Sequence, residues 1–323
     1  MKQNSMLADN ELKSLSVIVP CYNEEATLPI FYEEMMKQIS LLKEKRFLRE
    51  YEFIFIDDGS KDSTVSILRE LAARDKKVHY IILSRNFGKE AAIFAGLQNA
   101  SCQYAVIMDA DLQDPPALVP EMFEAVCSGE FDCAGTRRVT RKGEPPIRSF
   151  FARYFYRFMA KLSDIEVVDG ARDFRLMNRI YIDAVLLLHE RNRFSKGIFP
   201  WVGFKTKWFE YENINRVAGE TKWSFGKLFL YSLDGIAAFS SKPLALASIS
   251  GTIAFLISLI LIVIVIFRTI IWGDPVAGWA STICIILLVG GIQLFSIGIL
   301  GQYLAKTYTE VKQRPHFIVR EQK

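Results

Sequence analysis

The stretch "VIMDADLQDPP", Val106 to Pro116, drives an apolar run straight into three aspartates and two prolines. On an extended segment, residues two apart point the same way. Asp109 and Asp111 can therefore present carboxylates to one point at a strand end. Two bare carboxylates together are unfavourable unless a positive charge neutralises them. A divalent cation does this, and Mg²⁺ typically takes one or two carboxylates and fills its shell with water and substrate phosphates. Gln113 is within reach to help. The alternative is a solvated turn with Asp114 leading into the prolines. A cation-bound diphosphate is a good leaving group, because the metal absorbs the charge that develops as the bond breaks. The pattern therefore suggests a nucleoside diphosphate carrying a transferable group.

Such residues need a scaffold. "LSVIVP" reads as a buried strand, and Glu24 to Arg46 as a helix with Leu28, Phe31, Met35, Ile39 and Leu42 on one face. "YEFIFIDDGS" is a strand and turn. Lys61 to Arg74 is a helix with Ser60 or Asp62 as N-cap. "VHYIIL", "YAVIMD" and "FDCAGT" are strands, and "KEAAIFAGLQNA" and Pro115 to Cys127 are helices. This alternation predicts an α/β fold with a mainly parallel sheet. Ligands bind such sheets at the carboxyl ends of the strands. Tyr22, Asn23 and Glu24, then Asp57 and Asp58, then Asp109 and Asp111 all fall there. There is no G-x-G-x-x-G or G-x-x-x-x-G-K-[ST] phosphate loop.

Net charge is only +4 over 323 residues, which does not suggest a nucleic-acid partner. From Arg137 to Lys161, however, eight basic residues face one acid, Glu144. The five cysteines form no C-x-x-C pair, so reduced thiols are expected rather than a disulfide frame or zinc site. The N-terminal residues are polar and do not read as a signal peptide.

The C-terminal third changes character. Pro243–Phe267 and Pro275–Ala305 contain no charged residue. Each exceeds the ~20 apolar residues that a membrane-crossing helix needs. A transmembrane hairpin is expected, with Trp272 and Trp279 at the interface. Lys306, Lys312 and Arg314 after the second span, and the basic region before the first, place both ends on the cytoplasmic side. Ile147–Ile165 and Trp223–Ser241 are basic or amphipathic stretches suited to a membrane surface, with a core helix carrying a solvated face as the equal alternative for the first.

"VIVPCYNEE", "DDGSKDST", "SRNFGKEAAIFAG", "MDADLQDPP" and "DGARDFRLMNR" together resemble the family-2 glycosyltransferases of the GT-A fold. Within that family the chain resembles the polyprenyl-phosphate glycosyltransferases, the dolichyl-phosphate-mannose-synthase-like group. It is most similar to the bacterial bactoprenol glucosyltransferases of the GtrB and CsbB type. The resemblance implies that Pro20, Tyr22, Glu24, Asp57, Asp58 and Lys89 contact the nucleotide. It implies that Asp109, Asp111 and Gln113 hold Mg²⁺ or Mn²⁺, and that Asp173 is the base. It places the acceptor phosphate on Arg137 and Arg148, with Arg216 and Lys222 near the phosphates. An ion pair of Asp173 with Arg172 or Arg175 is the structural alternative.

The reaction so implied is inverting, non-processive transfer of glucose or N-acetylglucosamine from a UDP-sugar to undecaprenyl or another polyprenyl phosphate. The implied layout is a cytoplasmic catalytic domain over 1–222, an interfacial helix over 223–242, two spans over 243–305 and a tail over 306–323. The implied setting is the bacterial inner membrane, as a homo-oligomer contacting membrane lipid. A membrane-anchored transferase with a soluble acceptor, or a lipid-binding or flipping protein, are the rival classes. Equal use of water-soluble acceptors would mark the first, and the absence of metal-dependent UDP-sugar consumption the second.

Overall fold

A computed structural model describes residues 13–45, 47–139, 168, 170–212, 242–272 and 278–323. The expected surface helices over 147–165 and 223–241, together with Arg148, Arg216 and Lys222, lie outside the described residues.

Strand β1 (Ser14–Cys21) is predominantly apolar because it lies inside the sheet, covered on both faces, and its buried Ser16 hydroxyl is satisfied by Glu52 of the neighbouring strand. Helix α1 (Leu28–Glu44) buries the five residues that the helical spacing picked out. It starts later than its composition suggests, with Pro29 in its first turn, where a missing N–H costs nothing. Then come β2 (Glu50–Asp57), α2 (Thr64–Arg74), β3 (Val78–Leu83), α3 (Lys89–Asn99) and β4 (Tyr104–Ile107). After a single 3₁₀ turn follow α4 (Val119–Cys127), β5 (Cys133–Arg138) and β6 (Ala171–Asn178). Helices α5 (Arg179–Leu187) and α6 (Ser195–Trp201) lead to β7 (Thr206–Tyr211). Two long helices, α7 (Lys242–Trp272) and α8 (Trp279–Val311), precede β8 (Val319–Gln322).

The sheet order is β7-β5-β6-β4-β1-β2-β3-β8. Pairing is parallel within β4-β1-β2-β3 and between β5 and β7. Strand β6 runs antiparallel between β4 and β5. Its direction has a chemical consequence: the start of β6 lies at the same rim as the carboxyl end of β4. Ile107 pairs with Arg175, so continuing the register brings Asp173 opposite Asp109.

Strand alternation divides the core into two layers. Val17, Val19, Phe53 and Phe55 pack with α1, α2 and α4. Ile18, Ile54 and Ile56 pack with α3, α5 and α6. Gly96 lets α3 lie close to the sheet: a Cβ there would sit 2.2 Å from Ile18 Cγ2 and 2.9 Å from Ile56 Cδ1.

Helices α7 and α8 have 31 and 33 residues and pack against each other. At ~1.5 Å per residue both exceed the ~30 Å hydrocarbon thickness. Among the described residues, Leu288–Val311 is a 24-residue segment long and apolar enough to cross a membrane, with mean hydropathy 1.5 and none of it buried.

The segment after α8 is not a separate tail. It returns to the sheet, where β8 pairs antiparallel with β3. Glu321 receives both Arg69 Nε at 3.0 Å and Arg69 Nη2 at 2.6 Å, and the Tyr80 hydroxyl at 2.9 Å. His316 packs edge-on against Phe94 of α3. The foot of α8 is also fastened: Glu310 accepts from the Arg191 amide at 2.7 Å, and Lys306 donates to Asn192 at 3.0 Å.

Candidate active site

The carboxyl rim of the sheet collects the polar loops, and their own hydrogen bonds hold them in place. After β1, Asn23 adopts a left-handed backbone (φ 55°), which asparagine tolerates. Its amide donates to Ser60 Oγ at 2.8 Å, and its side-chain oxygen accepts from the Lys61 amide at 2.8 Å. The Glu24 amide donates to Thr64 Oγ1 at 2.9 Å. Asp62 accepts from both the amide and hydroxyl of Thr64, although α2 starts at Thr64 and its N-cap residue is Ser63, not the expected Ser60 or Asp62. The loops after β1 and β2 thus form one unit, with Pro20, Tyr22 and Glu24 beside Asp57 and Asp58.

Those two aspartates do different work. Asp58 is buried and both its oxygens are occupied, by the amides of Phe87 at 2.7 Å and Gly88 at 2.9 Å. It clamps the loop that leads into α3. Burial pushes its pKa up, and the two amides partly offset this. Asp57 is fully buried; its Oδ2 accepts from the Gly59 and Ser60 amides at 3.2 and 3.1 Å. Its Oδ1 is buried with no partner. A buried carboxylate oxygen without a donor is costly, and it marks a place where a ligand's N–H or O–H fits.

The centre of the rim is a cluster of charges. Lys89, the first residue of α3, places Nζ 2.7 Å from Asp109 Oδ1 and 2.7 Å from Asp173 Oδ2. Burial disfavours the ammonium, but the two carboxylates outweigh this and hold its pKa above the ordinary lysine value. Asp173 is pushed up by burial too, yet Lys89 and Lys196 together hold it well below the usual carboxylate range. Asp109 goes the other way: burial is its largest influence and raises its pKa, with Asp114 adding and Lys89 opposing. The partner of Asp173 is therefore Lys89, and not the Arg172 or Arg175 that sequence proximity suggested. Arg175 instead lies 3.7 Å over the Phe199 ring and donates to the Arg172 carbonyl at 3.1 Å.

Arg172 belongs to the cluster as well. Its Nη2 is 3.9 Å from Asp109, and its Nε is 3.1 Å from Asp114. Asp114 is 1% exposed and also accepts from the Tyr211 hydroxyl. The alternative of a solvated turn is thus excluded at Asp114, a buried anchor that aims Arg172 at the rim. Gly170 makes room for the approach: its φ is +77°, and a Cβ there would lie 2.5 Å from the Arg138 carbonyl.

Asp111 is buried and its Oδ1 accepts from the Gln113 amide at 3.1 Å, closing a tight turn around Leu112 (φ 57°). A positive φ is uncommon for leucine, and such strain collects at functional sites. Gln113 Oε1 accepts from Arg138 Nη2 at 3.2 Å. Arg138, not Arg137, is therefore the β5 arginine that reaches the cluster. Arg137 points to the other face and pairs with Glu210 of β7.

Asp109, Asp111 and Gln113 offer hard oxygen donors suited to Mg²⁺ or Mn²⁺. The Lys89 ammonium between Asp109 and Asp173 shows that the cluster accommodates positive charge. Among the described residues, no three Asp, Glu, His or Cys side chains are pre-assembled for a metal. A cation here would complete its shell with water and substrate phosphates. Arg172, Arg138, Asp114 and Tyr211 were missed as site residues because each sits in an ordinary context that only the register of β5, β6 and β7 brings together.

Residues 16–186 match the pattern of the family described as Glycosyl transferase family 2. The chain is 40% identical over 307 residues to the putative glycosyltransferase CsbB of Bacillus subtilis (strain 168), covering 95% of this chain and 91% of that one. It is 39% identical over 309 residues to the prophage bactoprenol glucosyl transferase homolog of Escherichia coli (strain K12), covering 96% and 99%. The SfII prophage-derived bactoprenol glucosyl transferase of Shigella flexneri is 39% identical over 307 residues, covering 95% and 97%. Among solved structures, glucosyl-3-phosphoglycerate synthase of Mycobacterium tuberculosis aligns over 70% of this chain and 78% of its own, at 21% identity and TM-score 0.44. With a doubly covered α/β sheet, an acidic rim, the family pattern over residues 16–186 and curated relatives at 39–40% identity along nearly its whole length, the chain belongs to glycosyl transferase family 2 and has its GT-A fold.

Proposed function

We propose that the protein transfers a hexose, glucose or N-acetylglucosamine, from a UDP-sugar to a polyprenyl phosphate such as undecaprenyl phosphate. The observation that carries this is the pair Asp109 and Asp173 sharing one positive charge at the rim, beside the unpartnered Asp57 oxygen. The names of the relatives in E. coli and S. flexneri support a bactoprenol acceptor.

In this reading Asp57 receives a donor group of the nucleoside, with Pro20, Tyr22 and Glu24 lining the same loop and Asp58 holding the neighbouring backbone. Asp109, Asp111 and Gln113 hold Mg²⁺ or Mn²⁺, which when bound supplies the charge that stabilises the leaving diphosphate. An oxygen of the lipid phosphate attacks the anomeric carbon in line. The bond from that carbon to the β-phosphate oxygen breaks, its electron pair leaves with UDP, and the anomeric centre inverts. An alkyl phosphate with a second pKa near ~6 is largely dianionic at neutral pH, so little proton removal is needed. Asp173, already held ionised by Lys89, orients and balances charge at least as much as it abstracts a proton. Arg172 and Arg138 would meet acceptor or donor phosphate oxygens, beside the Arg137, Arg148, Arg216 and Lys222 that the resemblance implies.

The long apolar helices α7 and α8 explain the acceptor. Moving a polyprenyl chain out of the bilayer costs about 0.8 kcal/mol per CH₂, so the site must come to the lipid. The protein crosses the bacterial inner membrane twice in this reading, with the catalytic domain and both termini cytoplasmic. Small residues in α8 (Gly290, Gly291, Gly298, Gly301) allow close helix contact, and so a homo-oligomer.

The test is incubation of the purified full chain with labelled nucleotide sugars, undecaprenyl phosphate and Mg²⁺ or Mn²⁺. A chloroform-soluble sugar product from a UDP-hexose is expected, and Asp111→Asn should abolish it. Equal transfer to a water-soluble acceptor would instead support an anchored transferase of different purpose.

A further inference from the structure

The two carboxylates that matter most in the site are already neutralised from within. Lys89 Nζ sits 2.7 Å from both Asp109 and Asp173, and its side chain is still 39% exposed. The backbone around it is fixed on both sides. Asp58 holds the amides of Phe87 and Gly88 just before it. Glu90 just after it is half-buried against the start of α6, accepting from the Ser195 amide at 3.0 and 3.1 Å and from its hydroxyl. The helix start therefore cannot shift easily, while the four-carbon lysine stem can swing. A divalent cation on Asp109 and an ammonium at 2.7 Å from the same carboxylate would repel strongly, because two like charges a few ångströms apart in a partly desolvated site are poorly screened.

We propose that Lys89 is the built-in counter-cation of this site, and that a divalent metal takes Asp109 only by displacing it. The displaced ammonium needs a new partner. With no donor bound, Asp173 and water are what remain to it among the described residues, so metal binding alone is weak. When a nucleoside diphosphate enters, its phosphates receive the ammonium, and metal and nucleotide bind together. Lys89 thus makes the two ligands mutually dependent. It also keeps the acidic rim from trapping a metal without substrate. This inference rests on Asp109 being a metal ligand, as in the function proposed above.

The coupling is a free energy and can be read directly. Mn²⁺ binding to the full detergent-solubilised chain is measured by electron paramagnetic resonance, with and without UDP. In Lys89→Gln, Mn²⁺ alone is expected to bind about tenfold more tightly than in the unaltered protein, and the enhancement by UDP is expected to shrink by a similar factor. Lys89→Arg keeps a cation and should behave like the unaltered protein, which separates loss of charge from loss of fold. Unchanged or weaker Mn²⁺ binding in Lys89→Gln, with an undiminished UDP effect, overturns the inference. Asp109→Asn is the check on its foundation: if Mn²⁺ still binds with UDP in that variant, the metal reading of the site fails and this inference with it.

Discussion

Tyr80 and Lys323 exchange both backbone hydrogen bonds, amide to carbonyl at 3.2 Å in one direction and 3.0 Å in the other. They join the C-terminal segment to the edge of the catalytic sheet, on the far side of two membrane-length helices in the sequence. Removing residues 313–323 should therefore harm the catalytic domain itself. It leaves β3 as a bare edge, which invites intermolecular pairing. Size-exclusion profiles of the truncated full-length protein are expected to shift toward aggregates, while Arg320→Ala, whose side chain makes no such clamp, should not change them.

His316 makes that junction pH-sensitive. Burial lowers its pKa to about 4, and Arg191 and Arg193 add to the effect against Glu310. The folded state therefore holds the imidazole neutral, while the unfolded state binds the proton near the ordinary 6.5. Stability from this group is fully present above about pH 6.5 and is lost as pH falls toward 4. Amide exchange in β8 is expected to accelerate over that window. His316→Phe keeps the contact with Phe94 and should flatten the response.

Asp57 offers the sharpest test of nucleotide placement. Asp57→Ala removes the unpartnered acceptor, and a lost hydrogen bond to a charged group is worth about 1.5–3 kcal/mol. UDP affinity measured by calorimetry should fall about 10- to 100-fold. Asp58→Ala acts by loosening the Phe87–Gly88 backbone, so it should lower thermal stability as well as affinity.

The Tyr211–Asp114–Arg172 chain predicts an effect at a distance from the proposed metal ligands. Tyr211→Phe leaves Asp114 with one partner fewer and Arg172 less firmly aimed. Turnover is expected to fall several-fold with UDP affinity nearly intact. Asp114→Ala strips Arg172 of its anchor and should destabilise the protein by about 2–3 kcal/mol in denaturant titration.

Gly96→Ala tests the packing of α3, which carries Lys89. With the new methyl group 2.2 Å from Ile18 Cγ2, one of the two must move. A loss of about 1–3 kcal/mol is expected, readable as a lower melting temperature.

The central strands were legible because parallel strands covered on both faces must be continuous apolar runs, as in "SVIVP" and "FIFID". The positions of Asp57, Asp109 and Asp111 followed from strand ends alone. Asp173 and Lys89 needed the resemblance to a known family, because nothing local sets "GKE" or "ARDF" apart. Strand β8 was invisible in "VREQ": a short edge strand rich in charge lacks the apolar pattern that announces a buried one. The choice of Arg138 over Arg137 turns on which face of β5 meets Gln113. One residue of register decides that, and sequence does not fix it.

The return of the chain from α8 to the sheet has a mechanical meaning. Only residues 312–318 lie between the end of α8 and β8. At ~3.3–3.6 Å per residue, that span reaches at most about 28 Å. With Glu310 and Lys306 also tied to the loop before α6, the enzyme is on a short leash. In the membrane setting proposed above, the reactive rim stays at a fixed height and a lipid acceptor reaches it by lateral diffusion.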